Sequence, residues 1–534
     1  PPSPPVIPGA FDFQRDAYFR GVGAVGFAFG ERIEIIPSQE SGVMASWSRW
    51  WAALRLRIAE RIHAILPDAT GAVAVALVTG DQGAIPKQVM QDMRDSGLAH
   101  LLSISGLHIG LVAGLLFMSV RSVLALVPRI ALYQPVKKWA AIVALFGTFF
   151  YMLLAGATVP PQRAFIMTGL VLLAVIFDRT ALSMRTVAGA AMVVLLLRPE
   201  ALIGPSFQMS FAAVVALIAA FEASEVARMR WRANTGWLRR VALNGGGIAV
   251  TSLIATSATS PFAVFHFNRL AGYGVAANML AIPITGFWVM AWAIIALLLM
   301  PLGLEALALV PMGWGVDAII TIAAGFAALP GSATVVQAMP LTGLILITLG
   351  GLWLCLWRRP WRWWGSLAIL VGALSMLTTT SPDLLITGDG RLFAIKTAAD
   401  GYLLSSRRSH RFDSEIWLRQ AGQDEAESLL WTGEDSEGRP ACDSLGCIHQ
   451  VSGVTIAIEL EPGALFDDCQ IADLVISRRP IRTTCPSARQ IIDRFDLWRE
   501  GAHAVWVFES GEIQVISVAD LRGIRPWVMR PLGQ

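Results

Sequence analysis

His100-Leu101-Leu102-Ser103-Ile104-Ser105-Gly106-Leu107-His108-Ile109-Gly110 leads into a long apolar run from Leu111 to Val127. About 20 apolar residues suffice for a helix to cross a bilayer, so this stretch reads as the entrance of a membrane helix. A polar group left unpaired in hydrocarbon costs several kcal/mol. Two histidines and two serines at such an entrance therefore bond to one another or to neighbouring helices, or they face water and substrate. The plainer alternative is a helix start with ordinary polar packing contacts.

Working outward, the 534 residues are 55% hydrophobic and 15% charged, with mean hydropathy +0.57. Soluble domains carry about 25% charged residues, so the composition is that of a polytopic membrane protein. Ten apolar spans are expected near residues 105–127, 139–156, 164–177, 184–197, 206–221, 241–262, 273–300, 306–328, 341–357 and 363–380. Some are short, and Gly or Pro interruptions mark them as broken or re-entrant. Residues 46–63 read as an amphipathic helix, with Trp47, Trp50 and Trp51 beside Arg55, Arg57 and Arg61 as at a membrane interface. Residues 69–79 are apolar but too short to cross, and read as a buried or re-entrant helix.

Charge sets the expected orientation. One set of loops and span ends holds fourteen basic residues, among them Arg121, Lys137, Lys138, Arg179, Arg228, Arg230, Arg232 and Arg358. The other set holds only Arg163, Arg198 and Arg269. By the positive-inside rule the first set is cytoplasmic. The His100 stretch, Arg163, the His266–Arg269 loop and the C-terminal region then lie on the exterior side. Residues 1–380 carry 26 Lys+Arg and 16 Asp+Glu, a net of +10. Residues 381–534 carry 16 and 23, a net of −7, giving +3 overall. The C-terminal part therefore reads as a separate, acidic, soluble domain of α+β or α/β type, opening with a β-meander through Leu384–Thr387, Arg391–Ile395 and Tyr402–Leu404. Val454–Leu460, Asp473–Ile476, Ala504–Phe508 and Ile513–Val518 read as further strands, Ser487–Arg499 as a helix, and Ile33–Ile36 as a short strand. The Pro1-Pro2-Ser3-Pro4-Pro5 opening, without Met, reads as that of a fragment.

Four of five cysteines lie in the C-terminal region. An even number in an oxidising compartment points to disulfides, with Cys442–Cys447 and Cys469–Cys485 as the expected pairs. Zinc is the rival, but its common Cys pairs have two-residue spacers and Cys442–Cys447 has four. No G-x-x-x-x-G-K-[ST] phosphate loop, H-E-x-x-H or H-x-H-x-D-H run is present. The chain is thus not expected to be its own ATP motor, and no metal or cofactor is expected. His410, His449 and His503 read as isolated.

Further polar groups recur inside spans. Arg163 follows Pro160-Pro161-Gln162, and a charge near hydrocarbon is usually paired or functional; a snorkelling interfacial Arg is the plainer reading. Gln208 and Ser210 lie in Phe207-Gln208-Met209-Ser210-Phe211. Asn278 and Pro283 lie in Ala276–Pro283, and His266-Phe267-Asn268 follows a hydroxyl-rich span end. Any one of these could be glue between helices. Together they suit a polar path through a bundle. Two other classes fit some of the residues. A membrane hydrolase would use Ser103 or Ser105, His100 or His108, and Asp81. A solute transporter would use Glu305 or Asp317 as an ion site.

His100-Leu-Leu-Ser-Ile-Ser-Gly-Leu-His-Ile109 resembles the signature of the ComEC competence family. So do Tyr151–Gly156, Arg163–Met167, Phe207–Phe211, Ser260–Phe262, His266–Asn268 and Asn278–Pro283, in order and spacing, across roughly residues 1–380. The resemblance implies a channel of the bacterial inner membrane that carries single-stranded DNA inward during natural transformation, with other uptake machinery and a cytoplasmic motor as partners. It implies that residues 1–50 end an OB-like exterior domain, 51–99 are interfacial and re-entrant helices, and 100–380 form the channel. Residues 381–534 resemble a reduced metallo-β-lactamase-like domain on the periplasmic side, with Ala472–Pro480 as a late strand and the metal-binding histidine motif missing. Path or gating roles fall to His100, Ser103, Ser105, Gly106, His108, Arg163, Gln208, Asn278 and Pro283. DNA contacts fall to Arg94 and Arg163, with Phe207 and Phe211 as possible stacking surfaces.

Overall fold

The computed structural model describes residues 2–26, 42–180, 183–224, 237–397, 401–424, 427–428 and 440–528. The expected strand at Ile33–Ile36 and the loop arginines Arg228, Arg230 and Arg232 lie outside them. The chain begins with a short helix, α1 (Phe13–Phe19), and then α2 (Val43–Ile65), α3 (Asp68–Thr79), α4 (Lys87–Asp95) and α5 (Ala99–Leu102). The membrane part follows as α6 (Gly106–Ala125), α7 (Pro128–Tyr133), α8 (Val136–Leu154), α9 (Val159–Ile176), α10 (Met184–Leu197), α11 (Pro205–Ala223), α12 (Trp237–Phe267), α13 (Gly274–Leu302), α14 (Ala306–Ala327), α15 (Leu341–Leu356) and α16 (Trp364–Leu374).

Among the described residues seven helices are long and apolar enough to cross a membrane: α6, α8, α9, α11, α13, α14 and residues Gly245–Phe267 of α12. The other three expected spans, α10, α15 and α16, are helical but short. α10 has 14 residues, about 21 Å at the α-helical rise, against a hydrocarbon core of about 30 Å. α15 and α16 compensate by packing backbone to backbone. A Cβ on Gly350 would stand 2.6 Å from Gly365 O, and one on Gly343 would stand 2.9 Å from Gly372 O. Only glycine permits that approach, as in small-residue membrane interfaces.

α3 is the buried helix its composition suggested, with every residue from Gly71 to Thr79 out of solvent. α2 packs beside it as an amphipathic helix, burying Trp51, Ile58 and Ile62. α13 is broken as Pro283 foretells: a π-turn, Ile284–Val289, follows the proline, and Thr285 Oγ1 donates to Ala281 O at 2.8 Å. The connections after α12 and α14 meet as an antiparallel ribbon of β1 (Arg269–Ala271) and β2 (Ala333–Val335). That ribbon and the start of α6 lie at one end of the bundle. At the other end Lys138 pairs with Asp178 (2.5 Å) and Arg358 with Glu222 (2.7 Å).

The C-terminal region contains two sheets. One has the order β13-β12-β3-β4-β5-β6, with β3 (Leu384–Ile386), β4 (Phe393–Lys396), β5 (Tyr402–Leu404), β6 (Glu427–Ser428), β12 (His503–Val507) and β13 (Ile513–Ser517). The other has the order β11-β10-β9-β8-β7, with β7 (Ala441–Cys442), β8 (Gly446–Val451), β9 (Val454–Glu459), β10 (Leu474–Ser477) and β11 (Gln490–Ile492). Leu384, Ile386, Phe393 and Ile395 of the first meet Ile456, Ile458, Leu474 and Ile476 of the second in one core. α17 (Arg411–Gln420) covers the outer face of the first sheet through Trp417, and α18 (Leu465–Ile471) covers that of the second. The order is helix, sheet, sheet, helix. The helix expected over Ser487–Arg499 is helical only in its second half: Gln490–Ile492 forms a short strand paired in parallel with β10, and α19 (Arg494–Glu500) follows. Its edge β-branched pair, Ile491-Ile492, favours the sheet.

Residues near the N-terminus join this region. Val6 and Ile7 pack with Leu385, Tyr402 and Trp417. Val6 O accepts the Trp417 indole N–H at 3.0 Å, and Asp12 pairs with Arg522 at 2.9 Å.

Both expected disulfides are formed, Cys442–Cys447 and Cys469–Cys485, leaving Cys355 of α15 free. Thiol labelling of the denatured chain should find one reactive cysteine without reductant and all five with it. Free thiols at all four C-terminal positions would contradict the pairing. Asp468, next to Cys469, is buried near Glu459, Asp443 and Asp467, and burial followed by those charges pushes its pKa from 3.8 up to about 6. A carboxyl raised in the folded state favours folding when protonated. Its contribution is full below pH 4 and is lost as pH rises through 6. Unfolding midpoints of wild type and Asp468→Asn across that window should show the slope only in wild type.

Candidate functional site

Ser105 caps α6 in an extended conformation. Its Oγ accepts from Leu107 N at 3.3 Å, and its backbone N–H donates to His108 Nδ1 at 3.4 Å. Because Nδ1 accepts, the ring proton sits on Nε2. His108 is 0% exposed and Nε2 has no partner. The helix entrance thus buries one unspent donor. Gly106 is the first residue of α6. Ser103 ends α5. His100 is exposed, its Nδ1 donating to Gly97 O at 3.1 Å.

Gly97, at φ +79°, makes the next link. A Cβ there would lie 2.9 Å from Ala271 Cβ, so glycine lets the turn after α4 rest on β1 and the start of α13. Asp95 pairs with Arg269 of β1 at 2.9 Å. Arg94 is exposed on the last turn of α4 and forms no ion pair among the described residues. It lies close enough to Arg419 of α17 for their charges to interact, as does Arg269.

Arg163 lies in the first turns of α9, which starts at Val159-Pro160-Pro161. It is 5% exposed, and among the described residues only Nη2 has a partner, Ser210 Oγ at 3.3 Å. Nε and Nη1 are buried without one. Two residues earlier on α11, Gln208 Oε1 accepts from His266 Nε2 at 2.8 Å, while Gln208 Nε2 donates to Leu202 O. These pairs link the same ends of α9, α11 and α12, and Arg269–Asp95 continues the series to α4. Ser210 and His266 were visible in the sequence only as members of polar runs; their pairing needed the fold.

Asn278 stands apart on α13. Its neighbours Ala277 and Ala281 pack with Leu98 and Leu101, and Asn278 Oδ1 is buried without a partner. Pro283 ends that segment at the π-turn. Phe207 and Phe211 stack on each other at 4.4 Å and fill a core with Val187 and Val194. They are packing residues.

The residues of the other two chemistries are placed differently. Asp81 accepts from Gly83 N at 2.9 Å, capping its own turn, and among the described residues it makes no hydrogen bond to His100 or His108. The Ser105–His108 pair therefore lacks the carboxylate that would orient it. Glu305 is buried against Arg61 at 2.5 Å. Asp317 accepts from the Thr70 hydroxyl.

In the C-terminal region His410 is not isolated. It stands 3.0 Å from Asp389 Oδ2 through Nε2 and 3.0 Å from Asp413 Oδ2 through Nδ1. Burial pushes the Asp413 carboxyl up. For Asp389 burial is outweighed by the Thr387 hydroxyl, Arg391 N–H and the neighbouring charges, which hold it below the usual range. Among the described residues no group of three or more His, Cys, Asp or Glu is arranged to hold a metal.

A family model described as Competence protein matches residues 77–361, more than half of the chain. The chain is 26% identical over 302 residues to ComE operon protein 3 of Bacillus subtilis (strain 168), covering 56% of this chain and 35% of that protein. It is 36% identical over 203 residues to Competence protein ComA of Neisseria gonorrhoeae, covering 38% and 28%. It is 30% identical over 232 residues to an uncharacterized protein, YcaI, of Escherichia coli (strain K12), covering 41% and 28%. Each match spans about a third of the relative's length. No solved structure matches the chain.

Proposed function

The chain belongs to the Competence protein family, and from that premise we propose that it forms the membrane path for a single DNA strand during natural transformation. The observation that carries this reading is Arg163. Its guanidinium is buried at the end of the bundle that also holds His108, Ser210, Gln208 and His266, and two of its nitrogens have no partner. A buried cation with spare donors fits a phosphate oxygen, and phosphate contacts dominate nucleic-acid affinity. His108 Nε2 offers a further donor, Arg94 an exposed cation near the same end, and Asn278 and Pro283 a polar break in α13. His100, Ser103, Ser105 and Gly106 shape the entrance of α6.

On this reading that end of the bundle is periplasmic, since the more basic ends face the cytoplasm. The C-terminal region is then periplasmic too, where its disulfides persist. Its helix–sheet–sheet–helix layering supports a reduced metallo-β-lactamase-like fold. The chain carries no phosphate loop, so a cytoplasmic motor would supply the pull. Uptake of marked DNA by cells carrying His108→Ala or Arg163→Ala, with membrane levels matched to wild type, tests the reading. Normal uptake in both would remove these residues from the mechanism.

A further inference from the structure

A cavity of about 600 Å³ lies between α2 and the bundle. Its wall is apolar: Leu54 and Ile58 of α2, Leu77 of α3, Leu116 of α6, Phe150 of α8 and Leu297 of α13 are among its lining. Three of the bounding helices, α6, α8 and α13, are membrane-crossing by length and composition. The polar atoms of the wall are mostly spent. Tyr151 OH donates to Leu77 O at 2.8 Å, and Arg61 is committed to Glu305. Water needs two to four polar partners to stay in a cavity, and the wall offers them only along α2; the sides formed by α3, α6, α8 and α13 are apolar apart from the committed Tyr151. A nucleic-acid strand needs cations along its length, and the lining's cations are confined to α2.

Three groups of α2 that line the cavity are uncommitted among the described residues: Arg57, Trp51 and the exposed Glu60, one turn from Arg57. Arg57 forms no ion pair among the described residues; its Nε reaches only Ala53 O of its own helix, at 3.4 Å. Trp51 lines the same cavity, and its indole Nε1 is buried without a partner. An apolar volume beside a free guanidinium and a free N–H has the chemistry of a phospholipid: a hydrocarbon tail, an anionic phosphate and ester oxygens. We propose that this cavity binds one anionic phospholipid, its acyl chain among Leu77, Leu116, Phe150 and Leu297 and its phosphate on Arg57. The lipid seats α2 against the bundle.

The test is native mass spectrometry of the full-length chain, delipidated by detergent washing and then offered phosphatidylglycerol and phosphatidylethanolamine in equal amounts. Wild type should retain one phospholipid, with phosphatidylglycerol preferred. Leu297→Trp, which fills the cavity, should lower retention at least tenfold. Leu297→Ala, which enlarges it, should keep the lipid and shows that a change at this position is tolerated. Arg57→Gln should retain lipid but lose the headgroup preference. Wild type holding no more lipid than Leu297→Trp overturns the proposal, as does an Arg57→Gln chain with unchanged preference or an oligonucleotide displacing the lipid. None of these readouts depends on DNA transport.

Discussion

Arg163→Ala is expected to lower transformation by about 10- to 100-fold while leaving the amount of protein in the membrane unchanged. A hydrogen bond to a charged group contributes about 1.5–3 kcal/mol, and each 1.4 kcal/mol is a factor of ten. Arg163 makes one such bond within the chain, to Ser210. Two buried donors are left for a passing phosphate. Alanine removes those donors together with a charge that costs energy to bury, so folding loses little. Arg163→Lys restores the charge but not the planar fork, and should recover only part of the activity. Uptake frequency alongside immunoblots of membrane fractions measures this. A loss of protein equal to the loss of uptake would make Arg163 a structural residue.

Trp417→Ala should destabilise the C-terminal region by about 3–5 kcal/mol, the usual cost of removing a large buried aromatic. Trp417 is 1% exposed and closes the outer face of the first sheet. Its indole N–H also holds Val6 O. The variant should therefore release residues 2–22 as well, and limited proteolysis should cut there well before it cuts the sheets. Trp417→Phe keeps most of the area and loses the hydrogen bond, for about 1 kcal/mol. Equal protease resistance in Trp417→Ala and wild type would contradict this account.

The ten apolar segments were legible because hydrocarbon demands long apolar helices, and all ten fold as helices. What periodicity could not weigh was length against partner. α15 and α16 are short, and Gly343, Gly350, Gly365 and Gly372 let their backbones touch, a pairing that joins residues on two different helices. In the C-terminal region β3, β4, β5, β9, β10, β12 and β13 read directly from their apolar runs. β8, with its alternating burial, and the helices α17 and α18, with few apolar residues, did not stand out. The site was legible as a list of polar residues in the wrong solvent. Its pairings, Arg163 with Ser210 and Gln208 with His266, depend on helix rotation, which no local pattern encodes. His410 appeared isolated because Asp389 meets it from a neighbouring strand turn.

The contact of Val6 with Trp417 joins positions 411 apart in sequence. Every membrane helix lies between them. Such closure is slow, because chain entropy opposes it until the intervening elements are in place. The segment around Val6 must wait, unpartnered, while the bundle inserts and the sheets form. Its docking is expected to come late, and protease protection of residues 2–22 in pulse-chase samples would time it.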